Sequence, residues 1–139
     1  MLQSTTRMAK AIMEECVHAF STLVKEFNFS IVESTHRMAF TKVIASNSRT
    51  YIEVTWDPRD HLSYWIGSCP KSGSSPGGYE IAMIANVRTA GVVPMIRGSS
   101  GPTKDALENA VQYLITNAPD LLCGDWSRRS EIDESLRRH

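Results

Sequence analysis

Residues 51–56 read Tyr-Ile-Glu-Val-Thr-Trp, 57–61 Asp-Pro-Arg-Asp-His, and 62–67 Leu-Ser-Tyr-Trp-Ile-Gly. Apolar and polar residues alternate on both sides of a polar, proline-containing centre, the pattern of two strands joined by a turn. With Asp57 to His61 as the turn, Trp56 faces Leu62, Val54 faces Tyr64 and Ile52 faces Ile66. One register therefore places all six residues on the same side of a sheet.

Upstream, Met38 to Ala45 reads as another strand and Ser46 to Arg49 as a tight turn. That turn is expected to pair Val43 with Ile52, Thr41 with Val54, and Lys42 with Glu53, the last an opposite-charge pair on the outer side. Phe29 and Ile31 open a first strand, and Glu33 to Arg37 is expected to be polar turn. Before them, Met8, Ile12, Cys16, Phe20, Leu23 and Phe27 recur at helical spacing, with Ala9, Met13, Val17 and Val24 beside them. Arg7, Glu14, His18, Ser21 and Lys25 fall opposite, which predicts one amphipathic helix over about Thr6 to Phe27, capped within Ser4 to Thr6 and ended at Asn28. The fold class expected is α+β, with an N-terminal helix packed on a four-stranded antiparallel meander, followed by C-terminal helices.

The helix covers the face of Ile52, Val54 and Tyr64. The other face is expected to carry Met38, Phe40, Ile44, Tyr51 and Trp65, more apolar than a half-solvated antiparallel sheet requires. Either the chain's own later helices cover it, or it meets a second copy or another protein. Phe40, Ile44, Tyr51 and Trp65 are accordingly the candidate protein-binding residues.

Beyond the hairpin, Ser68 to Gly78 is rich in glycine, serine and proline, which predicts a mobile, protease-sensitive loop. It lacks the pattern of a phosphate-binding loop. Tyr79 to Val87 is apolar on nearly all sides, and its Ala82, Met83 and Ala85 favour a buried helix over a strand. Gly91 to Gly101 is irregular. Thr103 opens a second amphipathic helix with Leu107, Ala110, Val111, Leu114, Ile115 and Ala118 as its stripe, stopped by Pro119. Leu121 and Leu122 are expected to anchor its exit. Residues 1–126 thus read as a single domain, and 127–139 as a charged tail holding at most a frayed helix.

Composition narrows the function classes. Fifteen basic side chains balance fifteen acidic ones, so the formal charge is zero. This argues against nucleic-acid binding, which draws most of its affinity from a basic excess. Tyr51, Trp65 and Lys42 could form a platform for stacking single-stranded bases, but without the basic surround such platforms carry. No apolar run matches a membrane span. Lys10, Glu14 and Glu15 interrupt the N-terminal apolar pattern, so no signal peptide is expected there. Cys16, Cys69 and Cys123 are odd in number and widely spaced, which fits reduced thiols in the cytoplasm.

In a meander, the first and third turns share one end of the sheet. That end gathers His36 and Arg37 with Asp57, Arg59, Asp60 and His61. His36, Asp57, Asp60 and His61 are the candidate metal ligands or acid-base groups, although their spacing matches no established ligand motif and Asp-Pro-Arg-Asp is also ordinary turn chemistry. Cys16 and Cys123 are expected to be buried and inert, Cys69 has no assigned histidine partner, and Gly98-Ser-Ser-Gly101 is not a nucleophile elbow. No catalytic residue and no cofactor follow from the sequence.

Phe-Asn-Phe at 27–29, Val-Thr-Trp-Asp-Pro-Arg-Asp at 54–60 and Asn-Ala-Pro-Asp-Leu-Leu-Cys-Gly-Asp at 117–125 together resemble a group of small bacterial α+β proteins with FGF, DPR and PDLL-x-GD signatures. The resemblance spans roughly Phe20 to Asp125 and implies no catalytic residues. It implies an immunity or accessory protein that acts by binding another protein. The reading is therefore a non-enzymatic protein-binding domain, meeting a partner or a second copy through the outer sheet face.

Overall fold

The computed structural model describes residues 2–37, 40–57, 61–69, 78–89 and 104–137. In chain order these form α1 (Leu2–Ala19), α2 (Ser21–Glu26), β1 (Ser30–Arg37), β2 (Phe40–Ser46), β3 (Thr50–Asp57), β4 (His61–Ser68), β5 (Tyr79–Glu80), α3 (Ile81–Thr89), α4 (Lys104–Asn117), α5 (Pro119–Leu122) and α6 (Arg129–Arg137). The strands make one antiparallel sheet in the order β1-β2-β3-β4-β5. The fold is α+β, with β1–β4 as the expected meander and β5 added at its far edge.

The hairpin of β3 and β4 has the expected register, with Trp56 opposite Leu62, Val54 opposite Tyr64 and Ile52 opposite Ile66. The β2–β3 register differs by two residues. Val43 faces Val54, Ala45 faces Ile52 and Lys42 faces Thr55, so Lys42 does not stand opposite Glu53 as anticipated. A slip of two keeps every side chain on its face, and alternation alone cannot detect it. Lys42 instead meets Glu33 of β1 at 3.1 Å.

That contact exists because Glu33 to Arg37, expected as turn, is strand and completes β1. A bulge between Ile31 and Glu33 shifts the pairing with β2 by one residue. Tertiary pairing thus overrides a polar composition of low apparent strand character. The first turn of the meander lies outside the described residues.

The N-terminal helix is longer than expected and divided at Phe20. Ser4 to Thr6 lie within α1 rather than capping it. The Phe20 amide donates to the Cys16 carbonyl and the Phe20 carbonyl accepts from the Val24 amide, both at 2.9 Å. The helical phase therefore continues through the break, and Ile12, Cys16, Phe20 and Leu23 form one buried stripe. Val17 and Val24, placed beside that stripe by sequence, are exposed at 60% and 47%. Asn28 ends α2 with φ 60°, a left-handed position that asparagine tolerates.

One hydrophobic cluster joins this stripe to Val43, Ala45, Ile52, Val54, Trp56, Tyr64 and Ile66 on the inner sheet face. Ile81 and Ile84 of α3, Leu107, Val111 and Leu114 of α4, and Ile132 of α6 complete it. In the helical layer α1 meets β1 and β2, α4 lies between α1 and α3, and α3 meets β4 and α6. Tyr79–Val87 divides into the short β5 and a helix, mostly as its alanines suggested.

The tail is helical over Arg129–Arg137. Ile132 is buried, and the Tyr79 hydroxyl donates to Asp133. The Arg129 guanidinium lies 5.8 Å from the Tyr79 ring centre and 5.2 Å from that of Trp126. A helix with few apolar residues is held here by one buried isoleucine and a polar-aromatic clasp.

Most of the Ser68–Gly78 loop, with its expected mobility and protease sensitivity, and all of Gly91–Gly101 lie outside the described residues. Among the described residues, no helix is long and apolar enough to cross a membrane.

Candidate functional site

The register lays out the outer sheet face row by row. Glu33, Ile44, Glu53, Trp65 and Glu80 form one continuous row across all five strands. Thr35, Lys42, Thr55 and Ser63 form the next, and Arg37 and Phe40 begin a third. Ser46, Tyr51 and Gly67 lie on the other flank. The central row thus alternates carboxylates with large apolar side chains.

The four candidate binding residues divide sharply. Ile44 and Tyr51 are 6% and 2% exposed within the single chain, Trp65 is half-buried, and Phe40 is 40% exposed. Tyr51 lies flat over Gly67. A β-carbon there would come within 2.6 Å of the Tyr51 hydroxyl, so only glycine admits the ring. Burial first, then Glu53 and Cys69, pushes the Tyr51 phenol up to about 12, which keeps it protonated and unfit as a base near neutrality. Its ring has no face open for stacking a base, and three glutamates in the adjacent row oppose phosphate. Of these four, Phe40 and part of Trp65 are exposed.

The candidate metal and acid-base cluster is only partly placed. Asp57 pairs with His61 at the end of β3 and β4, whereas His36 stands one row further in, opposite Thr41, which pairs with Trp56. The side chains of His36, Asp57 and His61, and Asp60 altogether, lie outside what is described. Among the described residues, no group of three or more histidine, cysteine or acidic side chains could hold a metal ion. Cys16 is buried, and burial together with Glu15 raises its thiol to about 12, so it is inert. Cys123, expected buried, is exposed because α5 ends at Leu122 and the chain turns outward. Cys69 is half-buried and shares a 3.2 Å hydrogen bond with the Ser46 hydroxyl.

The opposite end of the sheet is a polar joint not foreseen from the sequence. Asn47 Nδ2 donates to the carbonyls of Phe27 at 3.0 Å and Leu122 at 2.8 Å, while its Oδ1 accepts the amides of Arg49 and Thr50. The Thr50 hydroxyl donates to the Leu121 carbonyl and accepts from Trp126 Nε1. Gly124, at φ 88°, packs against Arg49 so closely that a β-carbon would sit 2.5 Å from its Cβ. Asp120 takes both guanidinium nitrogens of Arg88 at 2.8 and 2.9 Å. The Phe-Asn-Phe and Pro-Asp-Leu-Leu-Cys-Gly-Asp segments therefore meet here, joined through Asn47. A groove of about 280 Å³ beside the joint is lined by Glu26, Phe27, Asn28, Asn47, Arg49 and Cys123.

The Arg88–Asp120 pair makes a pH prediction. The Arg88 hydrogen bond holds the Asp120 carboxyl below its ordinary value near 3.8. A depressed carboxylate contributes stability above its unfolded value, and that contribution is lost as pH falls through the folded one. Asp120→Asn should therefore cost about 1 kcal/mol at pH 7, and the cost should shrink progressively as pH falls below 3.8, measured as the gap between wild-type and variant urea curves. A gap independent of pH would refute the assignment.

Comparison with protein-family models, curated proteins and solved structures finds no match to this chain.

Proposed function

We propose that this is a non-enzymatic protein-binding domain, of the immunity or accessory kind, whose contact surface is the β1–β2 side of the fold including Phe40. One observation carries the reading. Of the six large hydrophobics exposed among the described residues, Val17, Val24, Ile31, Val32 and Phe40 belong to α1, α2, β1 and β2, and only Met83 lies elsewhere. Val17, Val24 and Ile31 lie on the helix-covered side of the sheet and Phe40 on its outer face, so they flank the β1–β2 end of the sheet from both sides, which supports a contact made along that end.

β1 adds backbone to that surface. It is the terminal strand of the sheet, and among the described residues no strand pairs with its outer edge. An edge of this kind offers amides and carbonyls to an added strand. Phe40 stands one strand in, next to Arg37 of β1, where a partner's side chain would cover it.

The test is retention of protein by the tagged chain, its own untagged copy included, with wild type set against Phe40→Asp. The variant places a charge on an already exposed position and leaves the inner core alone. Wild type should retain a partner in stoichiometric amount, and Phe40→Asp should lose it at unchanged melting temperature. Equal recovery by both chains would remove Phe40 from the contact surface, and a wild type that retains no protein, its own copy included, would overturn the proposal.

A further inference from the structure

We infer that β1 is a homodimer seam, pairing antiparallel with β1 of a second copy about a two-fold axis through Thr35. The inference rests on the protein-binding reading above and names its partner as this chain itself.

The bulge between Ile31 and Glu33 divides β1. The regular part is Glu33-Ser-Thr-His-Arg37, five residues centred on Thr35. A two-fold axis normal to the sheet keeps faces matched only when paired positions differ by an even number. Centring on Thr35 uses the whole regular segment and sets Glu33 opposite Arg37 of the partner, twice by symmetry, with Ser34 opposite His36. Centring on Ser34 or His36 instead faces one charged residue with threonine and brings the bulge or the turn into the seam. The segment, whose Glu33 also meets Lys42 of its own β2 and accepts from the Thr35 hydroxyl, sets opposite charges across the seam in one register only, which favours a second copy over an arbitrary strand.

The helical layer agrees. His18 lies 3.1 Å from Glu108 of α4, and His18, Ala19 and Thr22 line the groove that α4 shares with α1 and α2. Val17 and Val24, seven residues apart in a continuous helical phase, lie about 100° round from His18 on the flank turned away from α4. That flank stands over the β1 edge, because α1 packs on β1 and β2. The axis through Thr35 brings both flanks together above the seam. Strand pairing then supplies the backbone bonds, and the valines supply the apolar area that five paired residues lack. The two sheets join into one, with both Phe40 side chains on the same outer face.

Residues opposed across such an axis have Cα atoms about 4.5–5.5 Å apart, within the range a disulfide spans. The experiment therefore uses full-length chain with Cys69→Ser and Cys123→Ser as background. Light scattering should give twice the 15.5 kDa chain mass. Thr35→Cys should form an intermolecular disulfide under mild oxidation, whereas Thr55→Cys, on the same face of a central strand, should not. Arg37→Glu puts two carboxylates in each pair and should weaken the dimer about tenfold, the two sites adding. A monomer in the background protein overturns the inference, as does a dimer that Thr35→Cys fails to link. In the first case, retention of another protein that Phe40→Asp abolishes leaves the protein-binding reading standing. If wild type retains no protein at all, both fall.

Discussion

Phe20→Ala should destabilise the domain by about 4 kcal/mol, lowering the urea midpoint with little change in slope. Phe20 is fully buried at the junction of α1 and α2, in one cluster with Ile12, Cys16, Leu23 and the inner sheet face. Truncation removes the transfer free energy of the ring and leaves a cavity. Helices whose backbone bonds run on through that residue cannot easily close it. Phe20→Leu retains most of the volume and should cost less than about 1.5 kcal/mol. Equal losses for the two variants would mean that the ring's volume is not what holds the helices to the sheet.

Asn47→Ala should cost about 3 kcal/mol for a different reason. No large apolar area is lost. The amide group instead joins the end of α2, the β2–β3 turn and α5, donating to Phe27 and Leu122 and accepting from Arg49 and Thr50. Removing it strands two carbonyls and two amides in a half-buried joint, where water replaces each bond imperfectly. Asn47→Asp is the sharper test. It keeps both acceptor contacts but aims a carboxylate at two carbonyl oxygens, so it should be no more stable than the alanine variant. Thermal melts of the two proteins, with amide exchange at Arg49 and Thr50, check this. An Asn47→Asp protein as stable as wild type would show that the Nδ2 bonds contribute nothing.

These two positions also show how legibility is divided in this chain. Phe20 is visible in the sequence because it recurs at helical spacing with Cys16 and Leu23, and a period needs no partner to be read. The same holds for Ile52, Val54, Tyr64 and Ile66, whose alternation fixed both the hairpin and its core face. Asn47 looks like an ordinary turn residue, and nothing local says that Phe27 and Leu122 will present carbonyls to it. The turn-end cluster of His36, Asp57, Asp60 and His61 was legible as a collection of residue types. The backbone, however, sets His36 one row away from the Asp57–His61 pair.

By itself, then, the sequence determined the α+β class, the faces of the strands and the stripes of α1 and α4, because side-chain periodicity is a property of each segment alone. Tertiary structure decided the β2–β3 register, since a two-residue shift leaves every face unchanged and burial cannot choose between the two pairings. It decided that the polar Glu33 to Arg37 segment is strand, because β2 supplies the hydrogen bonds its composition does not demand. It also tied the helix of the charged tail to the rest of the domain, through the burial of Ile132 and the clasp of Tyr79, Arg129 and Asp133. In each case the deciding group lies on another element, where no local pattern can register it.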